Sequence, residues 1–367
     1  MSASDVAPAP APATYPAREQ VRVLGGRPRP WFVLSAALVV VTLTSLSVGS
    51  FRVPLLGLFG SVLEALGLET GYRLEPTQQA VLLTIRLPRV VLGVMVGAVL
   101  ATSGAALQAL FRNPLVEPGL LGTSSGAALG AVTAIVMDLA LSSRLGPFRL
   151  LVVPGAAFLG ALGATLLAQR LGGGGGRTET ARILLAGVAV SAGAGAGIGL
   201  LTQLATDAQL RTITFWTWGS LAGASWSVVV ASTVPLLIAL LLLLRDARSL
   251  NLLLLGEREA WHLGVDVEKM KRRLILAAAL GVGAAVSVSG IIGFVGLLVP
   301  ALLRLALGPD HRRLMGASAL LGSALLVASD TLARTAAVPQ ELPVGALTAI
   351  LGVPVFISML VRDKGLS

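Results

Sequence analysis

Ten apolar runs, each close to the length a helix needs to cross a lipid bilayer, limit the fold of this chain more than any other feature. They lie near residues 31–50, 89–111, 119–137, 149–170, 182–205, 226–244, 274–289, 290–307, 315–334 and 343–361. A bilayer core about 30 Å thick takes about 20 apolar residues per helix. The seventh and eighth runs share one stretch, Leu274 to Leu307, whose only charge is Arg304; it is too long for one upright span. Gly290, Gly293 and Gly296 permit a tight reversal there, so two short helices are expected. The sequence thus predicts an all-α polytopic membrane protein of about ten transmembrane helices, with residues 31–367 as one transmembrane domain. Residues 1–30 are Ala/Pro-rich, carry Arg18, Arg22, Arg27 and Arg29, and read as a disordered cytoplasmic tail. The apolar run that follows is too long for a signal-peptide core and is expected to be kept as the first span.

Composition and charge agree with lipid as the solvent. Only 13% of residues are charged and mean hydropathy is +0.85, whereas soluble domains carry about 25% charge. The net charge of +10 is not arranged as basic blocks interleaved with aromatics, so no nucleic-acid partner is expected. Its sidedness is informative instead. With both termini cytoplasmic, 20 of the 28 Lys and Arg fall inside and eight outside, the bias of the positive-inside rule. Cysteine is absent and only His262 and His311 are available, so neither a thiolate nor a histidine metal centre is expected.

Small residues recur within the spans at helix-packing spacing: Gly93 and Gly97, Gly126 and Gly130, and the series Gly193, Gly195, Gly197, Gly199. Gly193, Gly195 and Gly197 are candidates to line a pathway. No Asp, Glu, Lys or Arg falls at the centre of a span. Asp330 comes nearest, and it precedes Arg334 by four residues, the favourable order for a pair within one helix. A proton-driven carrier is therefore disfavoured. HExxH and Walker A motifs are absent, and no catalytic residue is assigned.

Three stretches are more specific than composition. The first is Arg86-Leu87-Pro88-Arg89, with Gly97, Gly104 and Gln108 and then Arg112-Asn113-Pro114-Leu115-Val116-Glu117-Pro118-Gly119. The second runs from Gly290-Ile291-Ile292-Gly293-Phe294-Val295-Gly296 through Pro300 and Arg304 to Gly308-Pro309-Asp310-His311-Arg312. The third joins Asp330 and Arg334 to Glu341-Leu342-Pro343-Val344-Gly345 and Gly352-Val353-Pro354. In order and spacing these resemble the FecCD permeases, the membrane subunits of type II ABC importers for iron-siderophores, haem and cobalamin. Where members commonly carry His-Ile-x-Arg, this chain has Ala301-Leu302-Leu303-Arg304.

The resemblance implies a multi-pass permease of the cytoplasmic membrane, paired with a second permease subunit, identical or paralogous. It also implies two ATPase subunits, which bind ATP and Mg2+, and an extracytoplasmic substrate-binding protein; this chain itself would hold no cofactor. Ferric siderophore is the expected cargo, with haem or cobalamin as the alternative and an intramembrane enzyme or a scaffold as remote ones. Ala260, Leu263 and Gly264 match the family's Ala-x-x-Leu-Gly pattern, a short cytoplasmic helix that docks on the ATPase, with Glu257, Arg258 and Glu259 at its rim. Arg86, Arg89 and Arg334 match arginines that receive carboxylates of the binding protein. On that reading, Arg86→Glu with Arg89→Glu leaves the chain folded and removes docking alone.

Overall fold

The structure is a computed structural model that describes residues 29–49, 53–54, 56–58, 60, 74–137, 151–174, 177–178 and 180–363. Nearly all of the tail expected to be disordered lies outside the described residues. The helices are α1 (Arg29–Ser47), α2 (Pro76–Leu110), α3 (Thr123–Val136), α4 (Val152–Gly172), α5 (Thr180–Gln203), α6 (Asp207–Thr217) and α7 (Trp226–Arg245). There follow α8 (Ala247–Leu253), α9 (Glu257–His262), α10 (Val267–Ser289), α11 (Val295–Leu307), α12 (His311–Thr335) and α13 (Val344–Asp363). Seven of these (α1, α2, α4, α5, α7, α10 and α12) are long and apolar enough to cross a membrane. The shorter apolar helices α3, α11 and α13 occupy the other three expected runs. An antiparallel pair, Gly173–Gly174 with Arg177–Thr178, follows α4.

Helices α2, α10 and α12 are largely enclosed, whereas α1, α4, α5 and α7 turn most of their surface outward. In lipid such outward surface carries no penalty, so close packing rather than burial from water holds the helices together. Glycines supply it. A Cβ on Gly97 would come within 2.4 Å of the Gly322 carbonyl oxygen, and one on Gly126 within 2.4 Å of that of Gly160. Those contacts set the α2–α12 and α3–α4 crossings.

Two boundaries differ from the sequence reading. Helix α2 begins at Pro76, not near residue 89, because Glu75 and Gln78 form a capping box and Pro76 opens the first turn. Residues Leu82–Arg86 are wound as a π-helix just before Pro88. That wider turn accommodates a ring which would otherwise press on the carbonyl four residues back. Second, the two helices expected within 274–307 do form, broken at residues 290–294, but without the tight reversal between them. Helix α10 has 23 residues, and α11 packs on α2, α12 and α13 instead of closing a hairpin with it.

Residues 290–294, between α10 and α11, are irregular, with Gly290 and Ile292 buried and the others partly so; such backbone is tolerated at membrane depth where protein buries it or it lines a cavity. Gly290 has φ +67, and a Cβ there would stand 2.1 Å from the Trp216 carbonyl oxygen, so glycine is required. Pro300, inside α11, has no N–H to give the Gly296 carbonyl. Gln108 of α2 supplies it instead, Nε2 to oxygen at 3.1 Å, while its own Oε1 accepts from Arg304 at 2.7 Å. A motif residue of α2 thus satisfies an interrupted helix 188 positions further along the chain.

Candidate functional site

The charge bias places the ends of α1 and α12 and the start of the α2 span on the outer side, and the structure brings them together. Arg86, Arg89 and Arg334 gather there, each less than 10% exposed. Arg89 donates from Nε and Nη2 to Asp330 at 2.9–3.0 Å, and from Nη1 and Nη2 to Glu341 at 3.1 and 3.0 Å. The planar guanidinium serves two carboxylates along two edges, which an ammonium cannot do. Arg86 Nη1 donates to the carbonyls of Leu46 and Ser47, and Arg334 Nη2 to the Ser45 carbonyl and hydroxyl. Two cations therefore cap the C-terminal end of α1, where its unpaired carbonyls and dipole favour positive charge.

This changes the reading of those arginines. The intrahelical Asp330–Arg334 contact exists, but at 4.0 Å it is secondary; the main partner of Asp330 is Arg89. The three arginines are also directed into their own chain, and Glu341, with 43% of its side chain exposed, is the cluster's accessible charge. Glu341 and Ser45 escaped the sequence reading. Glu341 stood within a quoted motif, but nothing local links it to Arg89, 252 positions away.

Deeper in the molecule, Glu117 reaches the start of α11, where Phe294 adopts φ +66. Glu117 Oε1 accepts from the Phe294 N–H at 2.6 Å, capping that helix from another segment. The segment before it turns at Arg112 (φ +48), whose guanidinium donates to the Leu253 carbonyl at 2.9 Å. Asn113 accepts from the Leu115 N–H at 2.9 Å, completing the turn into the two prolines. The loop that holds Pro114 and Pro118 thus ties the inner end of α2 to α8 and to α11.

At the inner end α8 and α9 form a ledge. Ala260 is fully buried in the chain's own core and seats α9 from behind. Leu263, Trp261, Leu254 and Leu255 are exposed on the ledge, at 58%, 66%, 50% and 65%. Gly264 has φ +87 and open space around it. A bulky residue there would strain the backbone before it met any partner, so Gly264 is a poor probe of docking. Glu257, expected at a solvated rim, pairs with Lys271 at 2.9 Å. The exposed Asp266 carboxyl is held below its usual range by its hydrogen bond with Lys269.

Gly193, Gly195 and Gly197 lie on α5, whose surface is mostly outward. Nothing lies within 4 Å of a Cβ on Gly193 or Gly195, and Gly197 faces Leu129 at 3.0 Å. Among the described residues, no group of three or more His, Asp or Glu converges as a metal site would require.

Comparison with known proteins supports the same architecture. The model of the FecCD transport family matches residues 37–362. The hemin transport system permease protein of Yersinia pestis is 47% identical over 77% of this chain and 83% of its own length. A cobalamin import system permease protein of Halobacterium salinarum is 44% identical over 78% of this chain and 75% of its own. A solved structure described as a metal-chelate type ABC transporter in an inward-facing conformation superposes with a TM-score of 0.78 at 30% identity, covering 92% of this chain and all of its own. With a family match across most of its length, glycine-set helix crossings and an interrupted α11, this chain is a member of the FecCD transport family, a multi-pass permease subunit of an ABC importer in the cytoplasmic membrane and not itself an ATPase.

Proposed function

We propose that the importer carries a metal tetrapyrrole, haem or cobalamin. The observation that carries this reading is the identity of 47% and 44% to permeases named for hemin and for cobalamin, each over more than three quarters of this chain. These relatives favour haem or cobalamin over the ferric siderophore expected from the motifs. The permease reconstituted with its ATPase and binding protein in proteoliposomes should accumulate labelled haem or cobalamin on addition of ATP. Accumulation of a ferric siderophore with neither tetrapyrrole taken up would refute the reading.

On this reading a second permease subunit, identical or paralogous, covers the open glycine face of α5, and Gly193, Gly195 and Gly197 line the path between the two. Docking of the binding protein falls on the outer rim above Glu341, with Arg86, Arg89 and Arg334 acting from beneath by fixing α1, Asp330 and Glu341. The inner ledge is the seat of the ATPase, with Ala260 holding α9 in place, Gly264 turning the chain after it and Leu263 in the contact. Leu263→Asp combined with Trp261→Ala removes exposed apolar surface without touching the core. It should reduce recovery of the ATPase with tagged permease about tenfold, since apolar anchors carry a large share of interface energy. Undiminished recovery in a pull-down from detergent would place the ATPase elsewhere.

A further inference from the structure

We infer that a cavity of about 860 Å³ beside α6, at the outer end, is the first subsite for the cargo ring, which stacks on Phe215 and Trp216. The inference rests on the tetrapyrrole reading above and adds the place where such a ring is received.

Helix α6 is fixed by its far side. Thr206 and Gln209 form a capping box at its start, and Gln209 Nε2 donates to the carbonyls of Ile135 and Val136 at the end of α3, at 3.0 and 3.3 Å. Ile213 is buried against Val132 and Ile135. With that side anchored, Thr212, Phe215 and Trp216, spaced as one helical face, line the cavity. The opposite wall is the end of α10 and the segment before α13, which supplies Gln340 and Glu341, while Ser220, just after α6, adds a hydroxyl.

The walls are also locked to one another. Ser220 N donates to the Ser289 carbonyl at 2.7 Å and Val344 N to the Gly219 carbonyl at 3.0 Å. Gly219, at φ +70, and Gly290 lie so close that a Cβ on either would strike backbone, at 2.4 Å and 2.1 Å. The cavity is therefore formed before any ligand arrives. Its volume lies within the range of about 300–1,000 Å³ typical of cofactor sites.

Its chemistry fits a flat, conjugated ring with a polar edge. Phe215 and Trp216 offer aromatic faces, and Thr212, Ser220 and Gln340 can hydrogen-bond to peripheral amides or carboxylates. None of the described lining residues is cationic. The one carboxylate, Glu341, is paired with Arg89 at 3.0 Å and so presents no uncompensated charge to the ring. Aromatics at a membrane interface often simply anchor a protein in the headgroup layer. Trp218, exposed and outside the cavity lining, fits that role. Phe215 is 66% exposed yet lines the cavity, so its outer position gives the ring an open approach.

The test uses the permease–ATPase complex in nanodiscs, without nucleotide, titrated with haem and separately with cyanocobalamin. Binding is read by quenching of tryptophan fluorescence, with empty nanodiscs as the control for partition into lipid. Phe215→Ala, which opens no buried space, should weaken binding about 3–10-fold, as loss of one aromatic contact does. Phe215→Tyr should keep wild-type affinity. A loss seen with only one of the two rings identifies the cargo as that one. Unchanged affinity for both rings in Phe215→Ala overturns the subsite, and if the wild type still imports a tetrapyrrole the cargo reading survives. A wild type that neither binds nor imports either ring overturns both.

Discussion

Arg89→Ala is expected to cost the permease a large share of its stability, not merely its contact with a partner. The change leaves Asp330, whose side chain is 3% exposed, without the guanidinium that holds it. Removing one member of a buried ion pair typically costs about 3–5 kcal/mol, because the remaining charge stays out of water. Folded domains as a rule have about 5–15 kcal/mol in all. Glu341 is a lesser concern, since its half-exposed side chain can return to solvent. Arg89→Leu combined with Asp330→Leu should therefore recover part of the loss, since no carboxylate is left without Arg89 in the interior while Arg334 gives up only its 4.0 Å contact with Asp330. Melting of detergent-solubilised protein, followed by size-exclusion chromatography, gives the comparison across the two single variants and the double one. Charge reversal at Arg89 would set a third carboxylate beside Asp330 and Glu341. The paired Arg86→Glu and Arg89→Glu change is thus a test of folding, contrary to the expectation that it isolates docking. Wild-type melting of Arg89→Ala together with weakened binding-protein affinity would restore the direct docking role that the family resemblance implies.

The second large effect is expected from the smallest change. A Cβ on Gly104 would lie 1.8 Å from the Gly296 carbonyl oxygen, where α2 and α11 cross. No rotamer relieves a backbone clash, so Gly104→Ala must push the helices apart. It would also strain the Gln108 donation to that carbonyl. Overpacking of this kind costs about 1–3 kcal/mol and occasionally more. Gly163→Ala, inside α4, is the matched control, because nothing lies within 4 Å of its Cβ. Alanine there should be neutral to stabilising by up to about 1 kcal/mol within a helix. The two variants should shift the melting temperature in opposite directions. Equal melting would mean that α2 and α11 do not approach as closely as described.

What could be read in advance follows from the range of each physical constraint. The apolar runs were legible because bilayer thickness acts on every span separately. The packing role of Gly97 and Gly126 was legible because small residues at helical spacing have few other uses in lipid. The start of α2 was not: Glu75, Gln78 and Arg86 look like loop residues until a capping box and buried partners account for them. Asp330 shows the same limit. A reading confined to one helix finds Arg334 four residues away, whereas the stronger partner comes from another helix. Ala260 matched a docking pattern, but only the packing of α9 reveals that its methyl points inward while Leu263 and Trp261 point out. Glu117 gave no local sign that it would cap α11, since its partner lies 177 residues further on.

The cluster around Arg89 also imposes an order on biosynthesis. Asp330 follows Arg89 by 241 residues; at about 5–20 residues per second, that interval lasts roughly 12–50 seconds. Throughout it α2 is already made, while its arginine has only water and lipid headgroups for company. The chain must be made through α12 before the outer end can close, and residue 341 must follow before the guanidinium is fully engaged. The last-made part of the chain thus completes one of the first, and a ribosome that stops before residue 330 leaves a bundle still open at its outer end.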